Sequence, residues 1–204
     1  KKCNANLQKK RRKLMLADPN AIIIMGGRYP LHLSEKLFDN QEGGKEHENW
    51  NRYFVEPGKE ILSPEERKKN LSVGFINGVN EILRNKNKVI LLYPIPLAGW
   101  NVPNKLMNHL PKDDSEIKDY LLENPLTTSY DVYLKRTKES FSMLNKIKDK
   151  NLYRVYPHDL FCNNMIINRC TTHDLNTVFY RDESHLSYKG AQMLMIMIED
   201  KIKF

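Results

Sequence analysis

Apolar residues along this chain fall into short unbroken runs separated by stretches with helical spacing. Ala21 to Met25 (A-I-I-I-M) and Lys88 to Tyr93 (K-V-I-L-L-Y) do not alternate with polar residues, so each reads as a strand buried on both faces of a parallel sheet. Leu152 to Tyr156 reads as a third strand. A helix is expected from Ala5 to Leu16. Ser63-Pro64-Glu65-Glu66 has the cap, proline and early acids of a helix start, and Leu71, Phe75, Val79 and Ile82 follow at helical spacing. Tyr130 to Ile147 and Tyr188 to about Lys203 carry further amphipathic patterns, the latter through Ala191, Leu194, Met195, Ile198 and Ile202. Leu31 to Phe38 reads as a short helix and the polar stretch up to Ile61 as a long loop broken by Gly43-Gly44 and Pro57-Gly58. Asn101 to Pro125 reads as irregular, with a short helix from Glu116 to Leu122. Strands alternating with helices predict an α/β fold around a parallel sheet.

Chemistry-bearing residues gather at two ends of strand-like runs. The first apolar run stops at Gly26-Gly27-Arg28-Tyr29, and open α/β sheets place their ligand crevice where a strand ends in such a turn. The second place is Val178 to Gly190, V-F-Y-R-D-E-S-H-L-S-Y-K-G, where a β-prone run delivers Asp182 and His185 just before the last helix. A carboxylate three residues before an imidazole on one turn orients and stabilises that imidazole, which is the acid-base half of a Ser-His-Asp arrangement. The competing reading has Asp182 or Ser184 capping the closing helix, with His185 a surface residue. Cys162 and Cys170 enclose the loop F-C-N-N-M-I-I-N-R-C and would form a local disulfide in an oxidising compartment. His158, Asp159, Cys162, Cys170 and His173 also offer metal-ligating atoms, at a spacing that matches no standard zinc site, so no metal is expected.

The string F-Y-R-D-E-S-H-L-S-Y-K-G-A resembles the last block of the SGNH hydrolase-like domain attached to bacterial membrane-bound acyltransferase-3 proteins. The resemblance extends over most of Cys3 to Lys203 and includes Gly27-Arg28-Tyr29, the proline-bearing segment Pro94 to Pro96 after the second strand, and the cysteine pair shortly before the final block. It implies a three-layer flavodoxin-like SGNH hydrolase fold forming one domain over residues 1–204. It further implies Asp182 as the orienting carboxylate, His185 as the general base, and Gly27 and Arg28 beside the substrate carbonyl or its oxyanion. Arg28 in an ordinary salt bridge is the alternative role.

Ordinary SGNH esterases carry Gly-x-Asn-Asp where this chain has Gly27-Arg28-Tyr29; the acyltransferase-attached branch has an arginine followed by an aromatic residue. The family's nucleophile comes from a Gly-Asp-Ser block at the end of its first strand, and these 204 residues contain no Gly-Asp-Ser and no G-x-S-x-G. Ser34, Ser72, Ser129 and Ser187 do not sit at elbow-type turns. The expectation is therefore a chain that starts after the family's first βαβ unit, with the serine outside it, or a domain that has lost catalysis. Cys3 would then pair, if at all, outside these residues.

The implied activity is O-acylation, in particular O-acetylation, of a cell-envelope glycan in the periplasm, with the acyl group delivered by a membrane-bound acyltransferase domain. A carbohydrate esterase and a catalytically inactive glycan-binding remnant are the alternatives, and no cofactor is implied.

Charge leaves this picture intact. Lys and Arg exceed Asp and Glu by 33 to 25, a formal +8, which favours anionic partners. The basic run Lys9 to Lys13 lies within the first helix without interleaved aromatics, so it reads as a solvated face, and nucleic acid is not expected as a partner. Trp50, Tyr53 and Phe54 either stack on a sugar or anchor the long loop. No apolar run reaches the roughly 18 residues of a membrane span.

Overall fold

The computed structural model describes residues 5–47 and 61–202; Cys3, Trp50, Tyr53, Phe54 and the Pro57-Gly58 breaker lie outside them. Strands β1 (Ile22–Met25), β2 (Lys88–Leu92) and β4 (Leu152–Val155) form a parallel sheet in the order β1-β2-β4, with Ile23 opposite Val89 and Leu91 opposite Arg154. The central strand is wholly apolar after Lys88 because both of its faces are covered. Val89 and Leu91 point to one face, where α3 (Pro64–Arg84) presents Val79, Ile82 and Leu83, and α6 (Tyr130–Leu144) presents Met143 and Leu144. Ile90 points to the other, where α8 (Tyr188–Glu199) packs Leu194 and Ile198. Helices on both faces of a parallel sheet give the three layers that the alternating pattern predicts.

Local chemistry explains the element ends. Ser63 and Glu66 close a full capping box on α3: the serine hydroxyl accepts from the Glu66 amide, and the Glu66 carboxylate accepts from the Ser63 amide. Buried Asn87 fastens the first helix, α1 (Ala5–Ala17), and β1 to the turn before β2, accepting from the Ala21 amide and donating to the Met15 carbonyl at 2.8 Å. The basic run of α1 is exposed, and Arg12 there pairs with Glu81 of α3.

Several boundaries differ from the sequence reading. The short helix α2 spans Tyr29–Ser34 rather than Leu31 to Phe38, because the chain turns into a left-handed conformation at Glu35. The stretch read as irregular holds α4 (Val102–Met107), capped by Asn101, as well as α5 (Ile117–Glu123). β3 (Thr127–Ser129) and β5 (Arg169–Thr171) form a small antiparallel ribbon that periodicity did not indicate, since each is three residues long. α7 (His158–Phe161) precedes β5. Val178 to Tyr180 is not a regular strand: only the isolated bridges His173 to Val178 and Tyr180 to Leu186 form there. Its apolar residues instead fill a second core with Phe161, Val102 and Ala98, beyond the C-terminal ends of the strands.

Gly190 marks the closest approach of α8 to this segment. A β-carbon there would stand 2.3 Å from the Phe179 carbonyl oxygen, a backbone atom that cannot step aside. Gly74, inside α3, has no atom within 4 Å of such a position. Gly190→Ala is therefore expected to lower unfolding free energy by about 1–3 kcal/mol through overpacking. Gly74→Ala should raise it by roughly 0.5–1 kcal/mol, the helical cost of glycine. Urea midpoints of the two variants against the parent check both signs.

Candidate active site

The segment after Val178 is built as a tight, internally hydrogen-bonded turn. Asp182 Oδ1 accepts from the amides of Ser184 and His185 at 2.8 and 2.7 Å, so the carboxylate is pinned to the backbone of the residues it must orient. The imidazole of His185 then meets it through Nδ1, 2.9 Å from Oδ2 and 3.1 Å from Oδ1. Burial alone would raise the Asp182 carboxyl, but the two amides and the His185 ring outweigh it and hold the group below its usual range. Neither Asp182 nor Ser184 caps α8. Ser187 does, accepting from the Gly190 amide while its own hydroxyl donates to the Val178 carbonyl at 2.6 Å.

Contacts from the loop after β2 hold this turn in place. The Glu183 carbonyl accepts from the amides of Ala98 and Gly99 at 3.1 and 3.0 Å. Buried Tyr180 donates its hydroxyl to the Pro96 carbonyl at 2.8 Å. The Pro96–Gly99 segment is thus the brace for the His185 turn. With the ring held by Nδ1, His185 is half exposed, and Nε2 has no hydrogen-bond partner among the described residues.

His185 borders a cavity of about 390 Å³ at the C-terminal ends of β1 and β2. Gly26, Gly27 and Arg28 form one wall, Leu92 to Ile95 the floor, Tyr133, Arg136 and Thr137 of α6 another wall, and Ser184 to Leu186 the rim. The two ends of the sequence singled out for chemistry are therefore brought to one pocket. Arg28 is ion-paired with Glu46, whose carboxylate is almost wholly buried and whose Oε2 accepts from the Phe38 amide at 2.9 Å. Arg28 has the structural role of satisfying that buried charge, and it does so while lining the cavity.

The four serines considered as substitutes are engaged elsewhere. Ser34 and Ser72 donate to carbonyls four residues back, and Ser129 and Ser187 cap helices α6 and α8. Ser184 lies beside His185, but its hydroxyl is 3.4 Å from Nδ1, the nitrogen already held by Asp182, which is the wrong side for a nucleophile. Cys162 and Cys170 are joined by a disulfide across an isolated antiparallel bridge. Of the other metal-ligating atoms, His173 Nε2 accepts from the Leu126 amide, and half-buried His158 packs among the rings of Tyr130, Tyr133, Phe141 and Tyr156.

Glu46, Tyr133, Arg136 and Thr137 were not singled out in sequence. Glu46 stood in a polar loop among other acids. On α6 there was a usable signal: Tyr133, Thr137 and Ser140 are buried at spacings of four and three, a polar stripe on the face that should be apolar.

Comparison with known proteins comes to two positive findings. No curated protein sequence matches the chain. Among solved structures, the periplasmic domain of a lipopolysaccharide acetyltransferase from Salmonella ser. Paratyphi A aligns at 15% identity and a TM-score of 0.45, covering 97% of this chain; this chain spans 62% of that one. The profile of the family described as SGNH domain (fused to AT3 domains) matches residues 1–200. The chain therefore belongs to the family of SGNH domains fused to AT3 domains.

Proposed function

We propose that this domain carries out O-acyl transfer, in particular O-acetylation, onto a hydroxyl of a cell-envelope glycan outside the cytoplasm. The observation that carries the reading is the Asp182–His185 pair, with Nδ1 held by a carboxylate and Nε2 open at the rim of a cavity closed by the ends of β1 and β2. Membership in a family fused to AT3 domains supports a membrane-bound acyltransferase domain as the acyl donor. The Cys162–Cys170 disulfide supports an oxidising compartment such as the periplasm.

In this reading a serine from outside these 204 residues is the nucleophile. His185 Nε2 takes its proton as the serine oxygen bonds to the acyl carbon, and the leaving group departs with that proton. Asp182 stabilises the imidazolium in between. The acceptor hydroxyl then gives its proton to Nε2, attacks the acyl-serine, and the serine leaves reprotonated. Gly27 and Arg28, on the opposite wall, are the proposed neighbours of the carbonyl oxygen, where a guanidinium donor suits a developing negative charge. Water in place of the sugar would make the same site an esterase. A glycan-binding domain without ester chemistry is the second reading, favoured by the lack of any hydroxyl at Nε2 among the described residues.

The test is nitrophenyl acetate hydrolysis by the longest in-frame product of the gene. His185→Ala should lower turnover by about 10²-fold or more with an unchanged thermal midpoint, and parent-level turnover in that variant would overturn the assignment. Asp182→Asn keeps an oxygen for the two amides but presents a donor to Nδ1, so turnover should fall by a similar factor with little change in KM. Because the Asp182 carboxyl is held below its usual range, the unfolded chain binds its proton more readily than the folded one. Its stabilisation should be fully present at neutral pH and vanish as pH drops through the ordinary carboxylate range and below. Urea midpoints of parent and Asp182→Asn should differ by a constant amount near neutrality and converge in acid.

A further inference from the structure

The cavity beside His185 is walled unlike a sugar site. Its lining is mainly apolar, with Leu31, Phe38, Leu92, Ile95, Leu97 and Leu186 among the walls. The polar residues that also line it are occupied with protein partners. Glu46 accepts from Arg28 and from the Phe38 amide, Tyr133 donates its hydroxyl to the Pro94 carbonyl at 2.9 Å, and Tyr93 donates to Asn145 Oδ1 at 2.6 Å. Thr137 donates to the Tyr133 carbonyl, four residues back, at 2.8 Å. Arg136 donates to the Ser34 hydroxyl and the Lys36 carbonyl.

A sugar ring carries hydroxyls around its edge, and each one buried without a partner costs free energy. An aliphatic chain needs no such partners and gains from every wall atom it touches. Size points the same way. An apolar cavity of about 150 Å³ already holds a benzene molecule, whereas this one encloses about 390 Å³. The single methyl of an acetyl group would fill only a fraction of that volume.

We propose that the cavity is an acyl-chain pocket, which takes aliphatic acyl groups of about four to eight carbons from the donor and so extends the transfer beyond acetyl. This rests on the acyl-transfer reading of the same site. His185, half exposed at the rim, then divides the two substrates. The chain lies inside, against the end of β2 and α6, and the glycan hydroxyl reaches Nε2 from the solvent side.

Binding of acetamide, butyramide and hexanamide to the full chain, followed by NMR shift titration, tests the proposal without needing a nucleophile. Each pair of added methylenes should tighten binding by about tenfold. With the longest in-frame product of the gene, kcat/KM for nitrophenyl acetate, butyrate and hexanoate should rise in the same order. Thr137→Phe puts a ring into the α6 wall and should cut the preference for hexanamide over acetamide by about tenfold or more. Should that variant fail to fold, Ile95→Ala decides: by enlarging the cavity it should move the preference toward octanamide. Binding by the parent that is indifferent to chain length, or an unchanged preference in whichever variant folds, would overturn the proposal. The lipid tail of a glycolipid acceptor is the other source of such a chain. Octyl glucoside binding more tightly than glucose, while ester kcat/KM falls with chain length, would assign the pocket to the acceptor and overturn the acyl assignment. His185→Ala separates the two levels: chain-length preference retained with ester turnover lost supports both, whereas preference retained with turnover intact removes the acyl-transfer reading and leaves chain binding in place.

Discussion

The Glu183 carbonyl, held by two successive amides at Ala98 and Gly99, ties together the parts of the pocket. His185 sits two residues further on, so this pair of bonds fixes where the imidazole stands relative to the end of β2. Neighbouring contacts converge on the same loop: Tyr180 donates to Pro96, and fully buried Asn40 donates to the Ala98 carbonyl while accepting from the Gly44 and Glu42 amides. Gly44 and Gly99 approach so closely there that a β-carbon at either would fall within about 3 Å of the other's backbone. The loop after the central strand is thus gripped from both sides, and the imidazole inherits the rigidity of the sheet although it lies in a turn.

Legibility in the sequence followed the length scale of the physics. The three sheet strands and the two long helices were readable because each is a run of apolar residues with one period, and the capping box of α3 was readable because it is a four-residue signature. The β3–β5 ribbon was not, because three residues with two threonines on one side carry no period at all. The Val178 to Tyr180 run misled in a specific way. It has strand-like composition, but its burial comes from side chains of Phe161 and Val102 rather than from a neighbouring strand.

The site was legible to the extent that its residues lie close together in the chain. Asp182 and His185 are three apart and are held by local hydrogen bonds, so a short string suffices to find them. Arg28 and Glu46 are 18 apart and Arg136 a further 90 beyond Glu46, so their meeting is a product of the fold alone. Pairing between distant charges leaves no periodic trace. What the sequence did contain was Thr137 on an otherwise apolar face of α6, and that threonine lines the cavity.

The sheet also sorts the pocket walls by stability. Among the described residues β2 is bonded on both sides and shielded on both faces, whereas β1 pairs with β2 alone and leaves Ile22 and Ile24 more than two-fifths exposed on the α8 side. Local opening in proteins starts where backbone bonds are few and apolar cover is thin. The unit formed by α1 and β1 therefore detaches at lower cost than the centre, and Gly27 and Arg28 go with it. His185, anchored to the loop of β2, stays. The cavity is thus a cleft with one firm jaw and one yielding jaw, and its width can change without moving the His185 imidazole.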